Sequence, residues 1–396
     1  MRKIFAAILA VTSLVAVACG GTAAPSPSGG GASPSAAKAP IKLGAIIPLT
    51  GPSAATGADM KDGYELAREQ INAAGGINGA QIQVIYEDDK NDNATAVASF
   101  EKLVNNDKVT VMMGGLASSV TAALIEPAKK AQVPMAWTGA ASSTVEQGFA
   151  GQDWFFHYHP WDYMNAESSL AFIKSTPYKT WAVVYEDGLF GTGGAKGFQD
   201  ALGSQIVASE AFKSGSTDFT ALLNRVKAKN PEGVLFIPFA GDVIPFLTQM
   251  REVGYKPKLV YASPPSFPAD FGKSPVAEGV AGLTLWTADI PAPASKQFVA
   301  DFQKKFNHAP VSYWSALAYT NLVTVADALK KAGTDKGAWI TAMEATNYAS
   351  PIGPTLKFTP SKVIKHQGFT SLVSFQWQSG KQEIVFPDNL ATAKLK

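Results

Sequence analysis

Cysteine is nearly absent: the chain carries one, Cys19, in 396 residues. A single thiol excludes an intramolecular disulfide and any zinc site built from several cysteines. Net charge is equally scarce. Of the 34 basic residues, Arg2 and Lys3 lie at the extreme N-terminus, and without them the count equals the 32 acidic residues. A balanced chain offers no electrostatic footprint for nucleic acid, so no nucleic-acid partner is expected. Long apolar runs are confined to residues 4–18, a stretch too short and too rich in small residues for a comfortable transmembrane helix.

Catalytic motifs are also missing. Residues 188–197 are glycine-rich, but Lys196 is not followed by Ser or Thr and the glycines do not fit the dinucleotide fingerprint. An ordinary helix entry is expected there. Neither a nucleophile elbow nor a histidine-pair zinc helix occurs. His157 and His159 share one face of an extended segment but lack an assigned third ligand, and His308 and His366 have no evident partner. The expectation is a protein that is no enzyme and uses no metal and no cofactor.

What the sequence does contain begins with an export segment, residues 1–18: a charged start, the apolar run, then Val17-Ala18-Cys19-Gly20. Small residues followed by cysteine resemble the lipobox of bacterial lipoproteins. The resemblance implies cleavage before Cys19 and diacylation of its thiol, and two acyl chains suffice for durable anchoring. Residues 19–40 are almost entirely Gly, Ala, Ser, Pro and Thr, a composition with no apolar face to bury, and read as a flexible tether. The mature protein is thus expected outside the cytoplasm, held to a membrane by its N-terminal lipid.

The remainder exceeds what one core usually supports, which favours two lobes. Strand and helix patterns alternate: strands over 41–48, 81–87, 109–113 and 133–137, with helices over 57–74, 93–105 and from about 120. A second series follows residue 160, with helices over 165–174, 193–202, 217–229 and 243–253 and strands over 181–185, 205–210, 233–238 and 258–261. Such alternation argues for an α/β protein of doubly wound parallel sheets. Later come helices over 295–306, 312–332 and 336–344 and a strand-rich end. The organising stretch is 112–145, in which two turns rich in small residues, 114–119 and 138–143, follow neighbouring strands. Open α/β sheets bind ligands at the carboxyl ends of strands, and hydroxyls with free amides there suit a carboxylate. Serine in such turns is equally a helix cap.

Residues 41–52, Ile-Lys-Leu-Gly-Ala-Ile-Ile-Pro-Leu-Thr-Gly-Pro, and 71–79, Ile-Asn-Ala-Ala-Gly-Gly-Ile-Asn-Gly, resemble the opening strand and first helix-to-strand turn of a known family. Tyr86-Glu87-Asp88-Asp89 and the two serine turns extend the match to the branched-chain amino-acid-binding type of ABC solute-binding proteins. The resemblance implies a type I periplasmic-binding fold with two lobes, 41–159 with 288–351 and 160–287 with 352–396, joined by three hinge crossings near 159–160, 286–287 and 351–353. It further implies a monomer that closes on a small molecule and delivers it to ABC permease and ATPase subunits.

Carried over residue by residue, the family's contacts place the ligand carboxylate at Ser118, Ser119, Ala140 and Ser142. They place the ligand body at Thr56, Phe190 and Trp314, with Ala240 where the family's usual tyrosine is missing, and the aromatic residues crowding the first hinge add Trp137 and His159. Near 262–265 the amino-acid-binding members carry an acid for the ammonium, and this chain has none. A buried ammonium without a carboxylate is costly, so the expected ligand is a small carboxylate with an apolar or aromatic body. Two alternatives stay open: an amino acid whose ammonium meets Glu186, Asp187 or Asp242, and a sensor acting through a membrane receptor.

Overall fold

The computed structural model describes residues 38–262, 267–268 and 270–396. The export segment, Cys19 and all but the last residues of the tether lie outside the described residues, as does 263–266. Among the described residues no helix is long and apolar enough to cross a membrane.

The first sheet holds five parallel strands, β1 (Ile41–Ile47), β2 (Ile82–Asp88), β3 (Val111–Gly114), β4 (Met135–Trp137) and β5 (Phe155–His157), in the order β2-β1-β3-β4-β5. Leu43 to Ile47 of β1 are buried without alternation, as in a strand covered on both faces. Helices α1 (Ala54–Ala73), α2 (Asn93–Asn105), α3 (Ser118–Ala123), α4 (Ile125–Ala131) and α5 (Ser143–Gly148) fill the connections. One helix was expected where α3 and α4 stand. Pro127, in the first turn of α4, supplies no backbone N–H to a continuing helix, and the chain breaks at Leu124.

The second sheet is built after α6 (Asp162–Ser175) from β6 (Trp181–Glu186), α7 (Leu189–Leu202), β7 (Ile206–Phe212), α8 (Thr220–Ala228), β8 (Gly233–Ile237), α9 (Ala240–Glu252), β9 (Leu259–Ala262) and β10 (Ala281–Thr284). Helix α7 begins four residues before the expected 193, because the Glu186 carboxylate accepts the N–H groups of Gly188 (2.7 Å) and Gly191 (2.6 Å) and holds the glycine-rich entry in helical form.

The chain then returns to the first sheet as α10 (Pro293–Phe306), α11 (Tyr313–Ala332) and α12 (Lys336–Glu344), followed by the short strands β11 (Tyr348–Ala349) and β12 (Thr355–Leu356). Helix α11 lies against α1 so closely that a side chain at Gly63 would meet the Ser315 carbonyl at 2.1 Å. Fully buried Asp59 of α1 fastens this contact. Its carboxylate accepts the Ser312 hydroxyl (2.7 Å) and the N–H groups of Val311, Ser312 and Ser315 (3.2 Å each).

Strands β13 (Val373–Gln378) and β14 (Lys381–Phe386) complete the second sheet, in the order β14-β13-β10-β9-β8-β6-β7. Their pairing is antiparallel, so the expected parallel sheet gains an antiparallel edge. The chain passes between the sheets after β5, after β10 and before β13. The third passage comes later than the 351–353 expected. Gln367 bridges His157 of β5, and the Gly368 N–H donates to the His157 carbonyl (2.7 Å), so this segment stays on the first sheet's edge.

Candidate functional site

The two organising turns meet as neighbours. Gly114 and Gly115 close β3 with φ of 100° and 83°, and a side chain on either would collide, at 2.2 Å, with the Ile46 carbonyl or the Trp137 ring. Only glycine fits there. The Ser118 hydroxyl oxygen, buried at the start of α3, accepts the N–H groups of Ala141 and Ser142, both at 3.1 Å. With its oxygen held by two donors, the hydroxyl keeps its own proton for a further acceptor. Within the second turn Ala140 takes a left-handed φ of 76°, a strained conformation for a residue with a side chain.

From Ala140 onward the amides expected to be free in the second turn are already taken. Ala140 N–H donates to Leu116 O (3.1 Å), Ala141 and Ser142 to Ser118, Ser143 to Asp162 (2.9 Å) and Thr144 to the Ser142 hydroxyl (3.3 Å). Ser142 is therefore the N-cap of α5. Ser119 reaches across the cleft, its hydroxyl oxygen accepting the Leu189 N–H from α7 at 3.1 Å. A second crossing bond joins Gly241 N–H to Pro52 O, also at 3.1 Å.

Between these contacts lies a small, partly open cavity. Leu116, Ala140 and Ala141 form its floor, and Phe190, Pro238 and Phe239 enter from the second sheet. His159, on the first crossing segment, and Trp314, at the start of α11, close it. The two rings stack nearly parallel, centroids 5.2 Å apart at 4°. His159 Nδ1–H donates to Pro160 O (2.7 Å), and Nε2 accepts the Tyr313 hydroxyl (3.0 Å). Burial pushes the His159 pKa down to about 3, so the ring is neutral. Trp314 Nε1–H is buried without a protein partner.

The walls are thus apolar and aromatic, with no charged residue among the described lining residues. Glu186 and Asp242 do not line them. Glu186 caps α7, and Asp242 accepts N–H groups of Gly215 (2.7 Å) and Phe239 (2.9 Å) with the Ser214 hydroxyl (3.1 Å). Asp187 is exposed.

Of the residues expected to form the site, Ala140, His159, Phe190 and Trp314 line this cavity. Ser118 and Ser142 stand directly behind Ala141, and Ala240 opens α9 beside Phe239. Thr56 is buried on α1, away from the lining, and Trp137 lies beneath Gly115 with its Nε1–H on Thr121 Oγ1 (3.1 Å). Leu116, Ala141, Pro238 and Phe239 went unforeseen. Phe239 follows the apolar run of β8 at its carboxyl end, the position that favours ligand contact.

His157 is held within the fold: Nε2–H donates to Gly139 O (2.9 Å), and Nδ1 lies 3.3 Å from Gln367 Oε1. The ring stacks on Trp161, and burial lowers its pKa to about 4. His366 does have a partner, with Nε2 2.9 Å from Glu344 Oε1. Among the described residues no cluster of three His, Cys, Asp or Glu side chains is placed to hold a metal.

Two α/β sheets enclosing an aromatic cavity, with three chain passages between them, define a solute-binding protein. The chain belongs to the periplasmic binding protein family, whose model matches residues 40–382. It is similar to the Leu/Ile/Val-binding protein homolog 7 of Brucella abortus (strain 2308), with 27% identity covering 92% of this chain and 96% of the relative. Homolog 8 of Brucella suis is 27% identical, over 91% and 94%. Among solved structures, LivJ, the branched-chain amino acid transporter substrate-binding protein of Streptococcus pneumoniae in complex with isoleucine, superposes with a TM-score of 0.77. It is 26% identical and matches over 88% of this chain and all of that one. An R. palustris solute-binding protein in complex with benzoate gives 0.78 at 18% identity, over 90% and 100%, and shares the fold. The protein is accordingly the substrate-binding component of an ABC transporter, extracytoplasmic and not an enzyme.

Proposed function

We propose that this protein captures a small organic acid with an aromatic or branched apolar body and delivers it to its ABC permease and ATPase. The observation that carries this reading is the cavity wall: Phe190, Phe239, Trp314 and a neutral His159, with no carboxylate among the described lining residues. Residues 263–266 contribute no acid by sequence. Flat rings offer apolar contact area, while the Ser118 hydroxyl and the unpartnered Trp314 Nε1–H are donors suited to a carboxylate. An α-ammonium would be desolvated there without a counter-charge.

A second reading, a hydrophobic amino acid, is favoured by the Leu/Ile/Val-binding names of the relatives and by LivJ with isoleucine. Its ammonium would have to turn to Asp162, in the wall of an adjoining cavity, whose oxygens already accept Tyr163 N–H (2.7 Å) and both donors of Ser143 (2.9 and 3.0 Å). Solved members of the fold hold either class, isoleucine in one and benzoate in another, so the fold alone does not choose.

Closure is part of the same reading. The cross-cleft bonds Ser119–Leu189 and Pro52–Gly241 belong to a shut form that the ligand favours over an open one. The hinges are taken to lie near 159–160, 286–287 and 369–372, and Cys19 is taken to carry the lipid that keeps a monomeric receptor at the membrane. Mass spectrometry of the small molecule released on unfolding the purified protein tests the ligand class. A carboxylate lacking an amine supports the reading, and an amino acid overturns it.

A further inference from the structure

The cavity does not end at Phe190. A second, smaller void adjoins it, sharing Ala141 and Phe190 as walls and running between α6 and α7 to Ile237 and Phe198. Glycine makes the room: Gly194 faces this void, and a side chain there would approach Ile237 to 3.0 Å. Asn165 of α6 lines the void and is 5% exposed. Its Oδ1 is buried and accepts no hydrogen bond. Its other polar neighbour in the wall, Asp162, is committed to Ser143 and Tyr163.

A buried carboxamide oxygen without a donor costs free energy that a suitable partner recovers. Phe236 and Trp181 lie in the same lobe, and it does not lack apolar residues, so an orphan amide is an odd choice for a wall meant only to be filled. We propose that Asn165 is a specificity-determining residue: it accepts a hydrogen bond from a hydroxyl on the ligand body, remote from the carboxylate. The preferred solute is then a hydroxylated aromatic or branched acid, seated with its ring among Phe190, Phe239 and Trp314 and its hydroxyl past Phe190. This assignment rests on the organic-acid reading of the main cavity and adds to it the polarity of the ligand's far end.

Calorimetry with three phenyl-substituted acids tests it, one unsubstituted, one with a ring hydroxyl distal to the carboxylate and one with a methyl at the same position. The methyl controls for filling the void. The wild-type protein is expected to bind the hydroxylated acid about five- to tenfold more tightly than the methylated one. Asn165→Leu, which keeps the branching of the side chain and removes the acceptor, should abolish that preference while leaving the unsubstituted acid within about threefold. Asn165 makes no side-chain bond within the fold, so the variant should keep its melting temperature, and Asn165→Ser gives a second, smaller replacement. Equal affinity for hydroxyl and methyl in the wild type, or a hydroxyl preference surviving in Asn165→Leu, overturns the assignment alone. Failure of all three acids to bind the wild type removes the organic-acid reading and this assignment with it.

Discussion

The Ser119 hydroxyl accepts the Leu189 backbone N–H at 3.1 Å, joining the start of α3 on the first sheet to the start of α7 on the second. On the proposed closure mechanism, the bond forms as the cleft shuts. Ser119→Ala should therefore leave the fold intact and penalise closure by the net worth of one hydrogen bond, about 0.5–1.5 kcal/mol. Titration calorimetry should show affinity weakened by up to about tenfold. Unchanged affinity would mean that closure does not depend on this contact.

Ser118 behaves differently because its oxygen serves two buried amides. Ser118→Ala leaves the Ala141 and Ser142 N–H groups without acceptors, at about 1–3 kcal/mol for each buried group. Thermal unfolding should shift down by several degrees. Ligand affinity should fall by about tenfold or more, since the turn that forms the cavity floor is held by these bonds. A variant with wild-type melting temperature would contradict the geometry.

Much of this architecture was legible in the sequence, for identifiable reasons. Uninterrupted apolar runs such as 41–47 and 233–237 mark strands buried on both faces, and the small-residue turns after 113 and 137 mark the ligand-binding ends of strands. What stayed hidden depends on individual side-chain contacts, near and far in the chain, that hydrophobic pattern does not report. The early start of α7 needs Glu186, the break between α3 and α4 needs Pro127, and the late third passage needs the pairing of Gln367 with His157. The same holds for the site. Aromatic residues at 190 and 314 announced themselves, but the consumption of the amides from Ala140 to Thr144 is a matter of geometry, and no composition reveals it.

The acid response of the two hinge histidines has a defined sign. Burial lowers the folded-state pKa to about 4 for His157 and about 3 for His159, against about 6.5 in the unfolded chain. Between those values the unfolded chain binds more protons, so the stability they contribute is complete above about pH 6.5 and is lost as pH falls. Asp59 and Asp89, raised by burial to about 6, act in the opposite direction: their contribution is complete below about pH 4 and lost as pH rises through 6. His159→Gln removes one of the acid-sensitive groups. Urea unfolding should then show the variant gaining about 2 kcal/mol less than wild type between pH 5 and 6.5. Parallel pH profiles for the two proteins would contradict a neutral, buried His159.

Anchoring is tested at Cys19. Cys19→Ala should abolish lipidation and yield protein that is released or left unprocessed. Cell fractionation and intact-mass analysis read this directly, and a normally processed, membrane-bound variant would contradict the lipoprotein assignment.

The central claim concerns what the cleft lacks. Titration calorimetry of the wild-type protein with a phenyl-substituted carboxylic acid and with the same acid bearing an α-amino group isolates the ammonium. A wall of Phe190, Phe239, Trp314 and neutral His159 predicts tighter binding of the acid without the amine, by about tenfold or more, because desolvating the ammonium is not repaid by any charge in the wall. Tighter binding of the amino acid would contradict the account.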